Sequence, residues 1–361
     1  MTRVVLQLTS TLLLTAIATA KATANIADHF SSLNETTPGC AVGVVRGHEL
    51  VYEGYFGQAN LRYNVPITDK TVLNIGSISK HFTAVIAHKL AKNQTLSLND
   101  SLKKYYPDGP EWFNDVKLHH LINHQSGLPD YPTDKVTFEK LLKRLAQDTE
   151  LVEDLIFGWP IENKTLIKHV IALMLEQPAP AFGTDEKAKY SNTGYLLLAD
   201  IMEKSSGQPF NDLLRTQIIN PFKMDNTSPA SDATIEIPWS ATGYGTTEIE
   251  NLTYRRRSGN VLLQGDGGML TTLRDLAKWV SHLLSPKTEA EFWHRFLLPP
   301  VNYDSKSTSL DLIASSNFLP SANYFNPNQS PAELPNGPYN NGLICLLYTS
   351  DAADEAKWGD V

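Results

Sequence analysis

Ser77 and Lys80 stand three residues apart in the run Asn74–Ala84, a spacing that puts both side chains on one helical face about one turn apart. A serine hydroxyl becomes a useful nucleophile only when a neighbouring group takes its proton. A lysine can do so once burial or nearby cations lower its pKa. Ser79 points elsewhere. Further on, Tyr190 and Asn192 lie two apart in Lys189–Tyr195. A tyrosine whose pKa is lowered by nearby lysines can act as a phenolate base or a proton relay. An asparagine offers a donor and an acceptor, suited to orienting a lysine and a substrate amide together. Taken singly, each window also fits a bland reading: a helix-capping serine with a solvated lysine, and a polar turn entering a helix.

The elements that must position these residues follow from pattern. Ile78, Phe82, Val85, Ile86 and Leu90 recur at helical spacing, which predicts a buried helix running to about Asn93. Cys40–Val45 and Glu49–Phe56 are β-rich runs separated by a turn, so they predict a hairpin. Residues 57–70 read as a polar loop. Helices are expected over Ile26–Leu33, Leu118–His124, Val136–Ala146, Thr165–Leu175, Gly194–Lys204, Phe210–Ile219 and from Thr272, in capping-box form, to Leu284. Residues 299–341, rich in Pro, Asn and Ser, carry no periodicity.

Composition narrows the class. The chain has 361 residues, 42% hydrophobic and 19% charged, enough for a sizeable core. A formal charge of −8 and a pI near 5.7 argue against nucleic acid or an anionic membrane as partner. Cys40 and Cys345 make neither a disulfide framework nor a zinc spacing. Arg3, the apolar run to Ala18 and the small-residue pattern after it have the form of a secretory signal over residues 1–24, with cleavage after Ala20 or Ala24. No later segment reads as a stable membrane span, so a secreted or periplasmic protein is expected.

In their order, Ser77-x-x-Lys80 and Tyr190-x-Asn192 resemble the serine β-lactamase and penicillin-binding-protein superfamily, most of all class C β-lactamases and D-alanyl-D-alanine carboxypeptidases. Asn74–Ala84 is similar to the family's active-site helix, although Val72 stands where an aromatic is common. Leu118–Tyr131 is similar to its helix-and-loop signature, and Gly265–Trp279 to its glycine turn before a helix bordering the site. Phe182-Gly183 replaces a frequent Pro-Gly. The likeness runs from about Ala27 to Pro286.

The resemblance implies an α/β plus all-α protein of β-lactamase/transpeptidase-like fold, with an antiparallel sheet flanked by helices and a helical domain inserted. Residues 25–344 would form that domain: 25–93 the first part of the α/β subdomain, 94–286 the helical subdomain, 287–344 a loop-rich return toward the sheet. It further implies Ser77 as acylated nucleophile, Lys80 as its activator, Tyr190 as base or relay, and Asn192 as substrate-orienting. The reaction is acyl transfer on a small-molecule or peptide substrate, an ester, D-amino-acid peptide or β-lactam, with no cofactor. A non-catalytic peptidoglycan- or β-lactam-binding protein is the alternative.

Other classes fit less well. No Gly-x-Ser-x-Gly elbow occurs. His120 and His124 have metal-ligand spacing without a His-Glu-x-x-His motif or a third ligand, and read as structural histidines. The family's third motif, Lys-Thr-Gly or His-x-Gly, is not found after Pro286. Asn341-Gly342-Leu343 is similar to the start of a glycine-rich family strand, whereas Cys345–Glu355 resembles a translated sequencing-library adapter. The expectation is therefore a non-native tail over residues 345–361, missing C-terminal strands, a hairpin without sheet partners, and no measurable acylation from the chain as written.

Overall fold

The computed structural model describes residues 26–28, 30–46, 49–149, 151–152, 163–229, 237–246, 254–256, 263–283 and 341–347. The expected signal segment 1–24, most of 287–344 and residues 348–361 lie outside them.

Two strands, β1 (Cys40–Arg46) and β2 (Glu49–Phe56), form the predicted antiparallel hairpin, with a bulge between Val44 and Val45. A third strand, which we call β9 (Asn341–Leu347), pairs antiparallel with the free edge of β1, placing Val42 opposite Cys345. This corrects the expectation of a partnerless hairpin: the apolar run Leu343–Leu347 satisfies the backbone groups along that edge. Residues 57–70 are not wholly loop. They form a small pair, β3 (Gln58–Asn60) with β4 (Val65–Pro66). Of the expected N-terminal helix, residues 26–28 are helical, and residues 30–32 form a turn.

The chain then enters β5 (Leu73–Asn74), a 3₁₀ turn over Gly76–Ile78, and α1 (Ser79–Lys92), capped at Asn93. Helix α1 is buried on nearly every side, with Phe82, Ile86 and Ala87 fully enclosed. Around it stand α2 (Leu102–Tyr105), α3 (Leu118–Ile122), α4 (Lys135–Leu145), α5 (Asn163–Leu175), α6 (Asn192–Ser206) and α7 (Phe210–Leu214), the last running into a π turn over Arg215–Ile219. Strands β6 (Tyr244–Thr246) and β7 (Tyr254–Arg256) pair locally, and β8 (Leu270–Thr271) pairs with β5. Helix α8 (Leu273–Leu283) closes the described core and brings Leu273 against Gly43 of the sheet. The predicted capping box at Thr272 is half made. Its Oγ1 accepts from Asp275 N at 3.3 Å, but the Asp275 carboxylate accepts from Asn226 N at 2.6 Å instead of turning back.

Among the described residues no helix is long and apolar enough to cross a membrane. Phe82, Leu121, Leu196, Met202 and Trp279 belong to one contiguous core, so the sheet side and the helical side share a single hydrophobic interior.

Candidate active site

Ser77 enters the core through a forced turn. Gly76, at φ +49°, precedes it and donates its N–H to Asn74 Oδ1 at 2.8 Å. Positive φ suits glycine there. Ser77 thus sits in the 3₁₀ turn and Lys80 in the first turn of α1. Side chains three apart nearly eclipse in 3₁₀ geometry, which brings Lys80 Nζ within 3.2 Å of Ser77 Oγ. Ser79 is directed away, donating to Gly76 O at 2.7 Å and accepting from Met269 N at 3.1 Å.

Tyr190 and Asn192 arrive from the start of α6. Ser191, between them, caps that helix by accepting from Gly194 N at 3.1 Å, and so turns its two neighbours to the same side. The Tyr190 hydroxyl donates to Ser77 Oγ at 2.6 Å, and Lys80 Nζ donates to Asn192 Oδ1 at 2.7 Å. All four residues singled out in the sequence therefore meet in one cluster, three of them buried and Tyr190 half-buried. Ser77 is 6% exposed, Lys80 5% and Asn192 0%.

The third acceptor on Lys80 is the backbone carbonyl of Asp266, in the glycine turn before β8. Gly265 makes that approach feasible. It adopts φ +88°, and a Cβ there would fall 2.5 Å from Ala199 Cβ and 2.7 Å from Tyr195 O. Its own carbonyl accepts from Thr83 Oγ1 at 2.6 Å, locking the turn against α1.

Three further residues, all inside the Leu118–Tyr131 signature, were given no part in the site by the sequence reading. Asp130 accepts from Asn192 N at 2.6 Å and from Asn192 Nδ2 at 3.2 Å, which fixes the amide with its oxygen toward Lys80. Tyr131 donates its hydroxyl to Asp266 Oδ2 at 2.7 Å. His124, in left-handed backbone at φ +57°, accepts from Ser191 N on Nδ1 at 3.1 Å and stacks on Tyr190 at 4.7 Å. An isolated aspartate between glycines has no periodic signal, and pairings across more than sixty residues leave none either.

Electrostatics sort the roles. Burial pulls Lys80 down to about 8, against the opposing pull of Asp266 and Asp130, so a neutral amine is accessible near neutral pH. Burial likewise drives His124 down to about 3, helped by the Lys80 charge, leaving a neutral acceptor. Tyr190 moves the other way from the lysine-lowered phenol considered for it. Burial raises it, and Asp266 and Asp130 add to that against the Ser77 hydrogen bond. A neutral phenol can hand a proton on, but it is a poor source of phenolate.

The two histidines with metal-like spacing have separate partners. His120 Nδ1 accepts from Lys117 N at 3.0 Å and Nε2 meets Asp185 at 3.2 Å, while His124 serves Ser191. Among the described residues no group of three or more His, Cys, Asp or Glu could hold a metal ion. A concavity of about 640 Å³ lined by Trp112, Lys117, His119, His120 and Asp185 includes none of the four clustered residues.

Residues 26–305 match the protein family described as Beta-lactamase. Among curated relatives, Penicillin-binding protein 4* of Bacillus subtilis is 31% identical over 187 residues, covering 50% of this chain and 36% of that protein. The D-alanyl-D-alanine-carboxypeptidase/endopeptidase AmpH of Escherichia coli is 27% identical over 275 residues, covering 74% and 62%. The chain thus spans less than two thirds of the length of these relatives. Among solved structures, the octameric penicillin-binding protein homologue from Pyrococcus abyssi superimposes with a TM-score of 0.57 at 26% identity, over 73% of this chain and 55% of that one.

Proposed function

The chain belongs to the beta-lactamase family, and from that premise we propose that it is an exported serine hydrolase that transfers acyl groups through an ester on Ser77 Oγ. One observation carries the reading: Lys80 Nζ and Tyr190 OH converge on Ser77 Oγ at 3.2 and 2.6 Å inside a buried site. Neutral Lys80 takes the Ser77 proton as Oγ attacks the substrate carbonyl. The Ser77 backbone N–H supplies one oxyanion donor. As the tetrahedral intermediate collapses, the proton passes by way of Lys80 and the Tyr190 hydroxyl to the leaving nitrogen or oxygen. Asn192, clamped by Asp130, orients both the lysine and a substrate amide. Water or an amine then releases the acyl group.

The order of substrates we favour is ester, D-amino-acid peptide, then β-lactam. The names of the relatives support peptide and β-lactam chemistry. A second reading is acyl or β-lactam capture without turnover.

A fluorophosphonate probe, with Ser77→Ala as control, tests the nucleophile. A panel of p-nitrophenyl esters, a D-Ala-D-Ala peptide and nitrocefin tests turnover. In protein that carries the family's complete sheet and third motif, Ser77-dependent labelling with ester turnover is the expected result. Labelling without turnover selects the second reading, and no Ser77-dependent labelling defeats both. Nitrocefin turnover far above ester turnover would reverse the substrate order.

A further inference from the structure

We infer that Asp266 is a positioning residue for the nucleophile's base, its buried carboxylate serving as the counter-charge that holds Lys80 in place. The inference rests on the serine-hydrolase reading but adds a residue which that reading does not use. Asp266 is 0% exposed. Its backbone oxygen accepts from Lys80 Nζ, Oδ2 accepts from Tyr131 OH at 2.7 Å, the Leu263 backbone N–H adds a weaker hydrogen bond to the carboxylate, and among the described residues Oδ1 is buried with no close partner. A carboxylate left half-satisfied in the interior is costly unless a positive charge stands near it. Lys80 is that charge: each group's ionised form is favoured by the other. Burial, with the Asp130 charge adding to it, pushes the Asp266 carboxyl up; Lys80 first, then the Tyr131 and Leu263 hydrogen bonds, oppose it, and it comes to about 6.

The other titratable groups around the pair do not substitute for it. Asp130, on the segment before α4, also faces Lys80, but its oxygens are spent on Asn192 and Thr133. Tyr131, Tyr190 and Tyr195 are all raised by burial and stay neutral, and His124 is neutral too. Both carboxylates favour the Lys80 cation, Asp266 the more strongly of the two, and Asp266 alone also binds Lys80 Nζ through its own backbone oxygen. Above about pH 6 it is ionised and favours the lysine cation, which raises the pH at which Lys80 becomes the neutral base.

The test is a direct titration. In protein carrying ε-¹³C-lysine, the Lys80 resonance is assigned by its loss in Lys80→Arg and followed against pH in wild type, Asp266→Asn and Tyr131→Phe. Circular dichroism checks folding. Removing the carboxylate should move the Lys80 midpoint about one pH unit or more toward acid, the size of effect typical of an adjacent opposite charge. Tyr131→Phe, which keeps the carboxylate but removes its clamp, should move the midpoint the same way by less, and it serves if Asp266→Asn does not fold. The acid limb of the labelling rate should move with the resonance. An unchanged midpoint in a folded variant overturns the inference, and so does a shift toward alkali. Failure of the hydrolase reading looks different: wild type gives no Ser77-dependent labelling, while the titration still reports on Asp266.

Discussion

Lys80 spends its three N–H donors on Ser77 Oγ, Asn192 Oδ1 and Asp266 O. An ammonium held this way is well placed but inert as a base, so activity should track the fraction that has lost a proton. Burial disfavours the cation and moves that loss from the ordinary lysine value of 10.5 down to about 8. The sign follows. The Ser77 labelling rate should rise with pH and reach half its plateau near pH 8, and a profile flat from pH 6 to 9 would remove Lys80 from the base role. Lys80→Ala should abolish labelling while the fold, read by circular dichroism, persists. Tyr190→Phe should cost about a hundredfold or more if the hydroxyl relays the proton. A variant that labels at the wild-type rate would leave proton transfer to Lys80 alone.

At the scale of elements, the site is an encounter between the 3₁₀ turn before α1, the cap of α6 and the glycine turn before β8. The first was legible because helical period alone aligns Ser77 with Lys80. The hairpin β1–β2 was legible because its second run alternates. Asp266 was not, since its partners Lys80 and Tyr131 stand 186 and 135 residues away. The direction of the Tyr190 shift was equally hidden: sequence shows lysines nearby, but only the packed fold shows the burial and the carboxylates that raise the phenol. The α6 cap offers a test of this element-level view. Ser191 is 1% exposed, so Ser191→Ala leaves the Gly194 N–H without its acceptor inside the protein. Losing such a cap should cost about 1–2 kcal/mol. Because Tyr190 and Asn192 flank it, Ser77 labelling should slow as well. Ser191→Thr, which keeps the hydroxyl, should restore both. Slowed labelling in Ser191→Ala without any loss of stability would separate the cap from the site.

Across the whole molecule, the described sheet and helices are joined through the back of α1. Trp279 of α8 is 1% exposed and lies 4.7 Å from Phe82 and 5.2 Å from Phe222, ring centre to ring centre. Phe82 is two residues beyond Lys80, so the indole braces the side of α1 away from the nucleophile. The same helix rests on β1 through Leu273, which makes α8 the mechanical link between sheet and site helix. Among the described residues Trp279 Nε1 has no hydrogen-bond partner, so packing alone holds the ring. Trp279→Ala should then leave a cavity worth about 3–5 kcal/mol. That converts to a melting temperature lower by about 4–7 °C for a chain of this size. Trp279→Phe loses less area and also removes an unpaired buried donor, a group that costs about 1–3 kcal/mol to bury, so its melting temperature should fall only a little. In either variant, below its transition, the pH midpoint of Ser77 labelling should stay where it was, because α8 supplies none of the three acceptors on Lys80. A melting temperature unmoved by Trp279→Ala would deny α8 its bracing role, and a displaced pH midpoint would mean that the back of α1 tunes the base as well as carrying it.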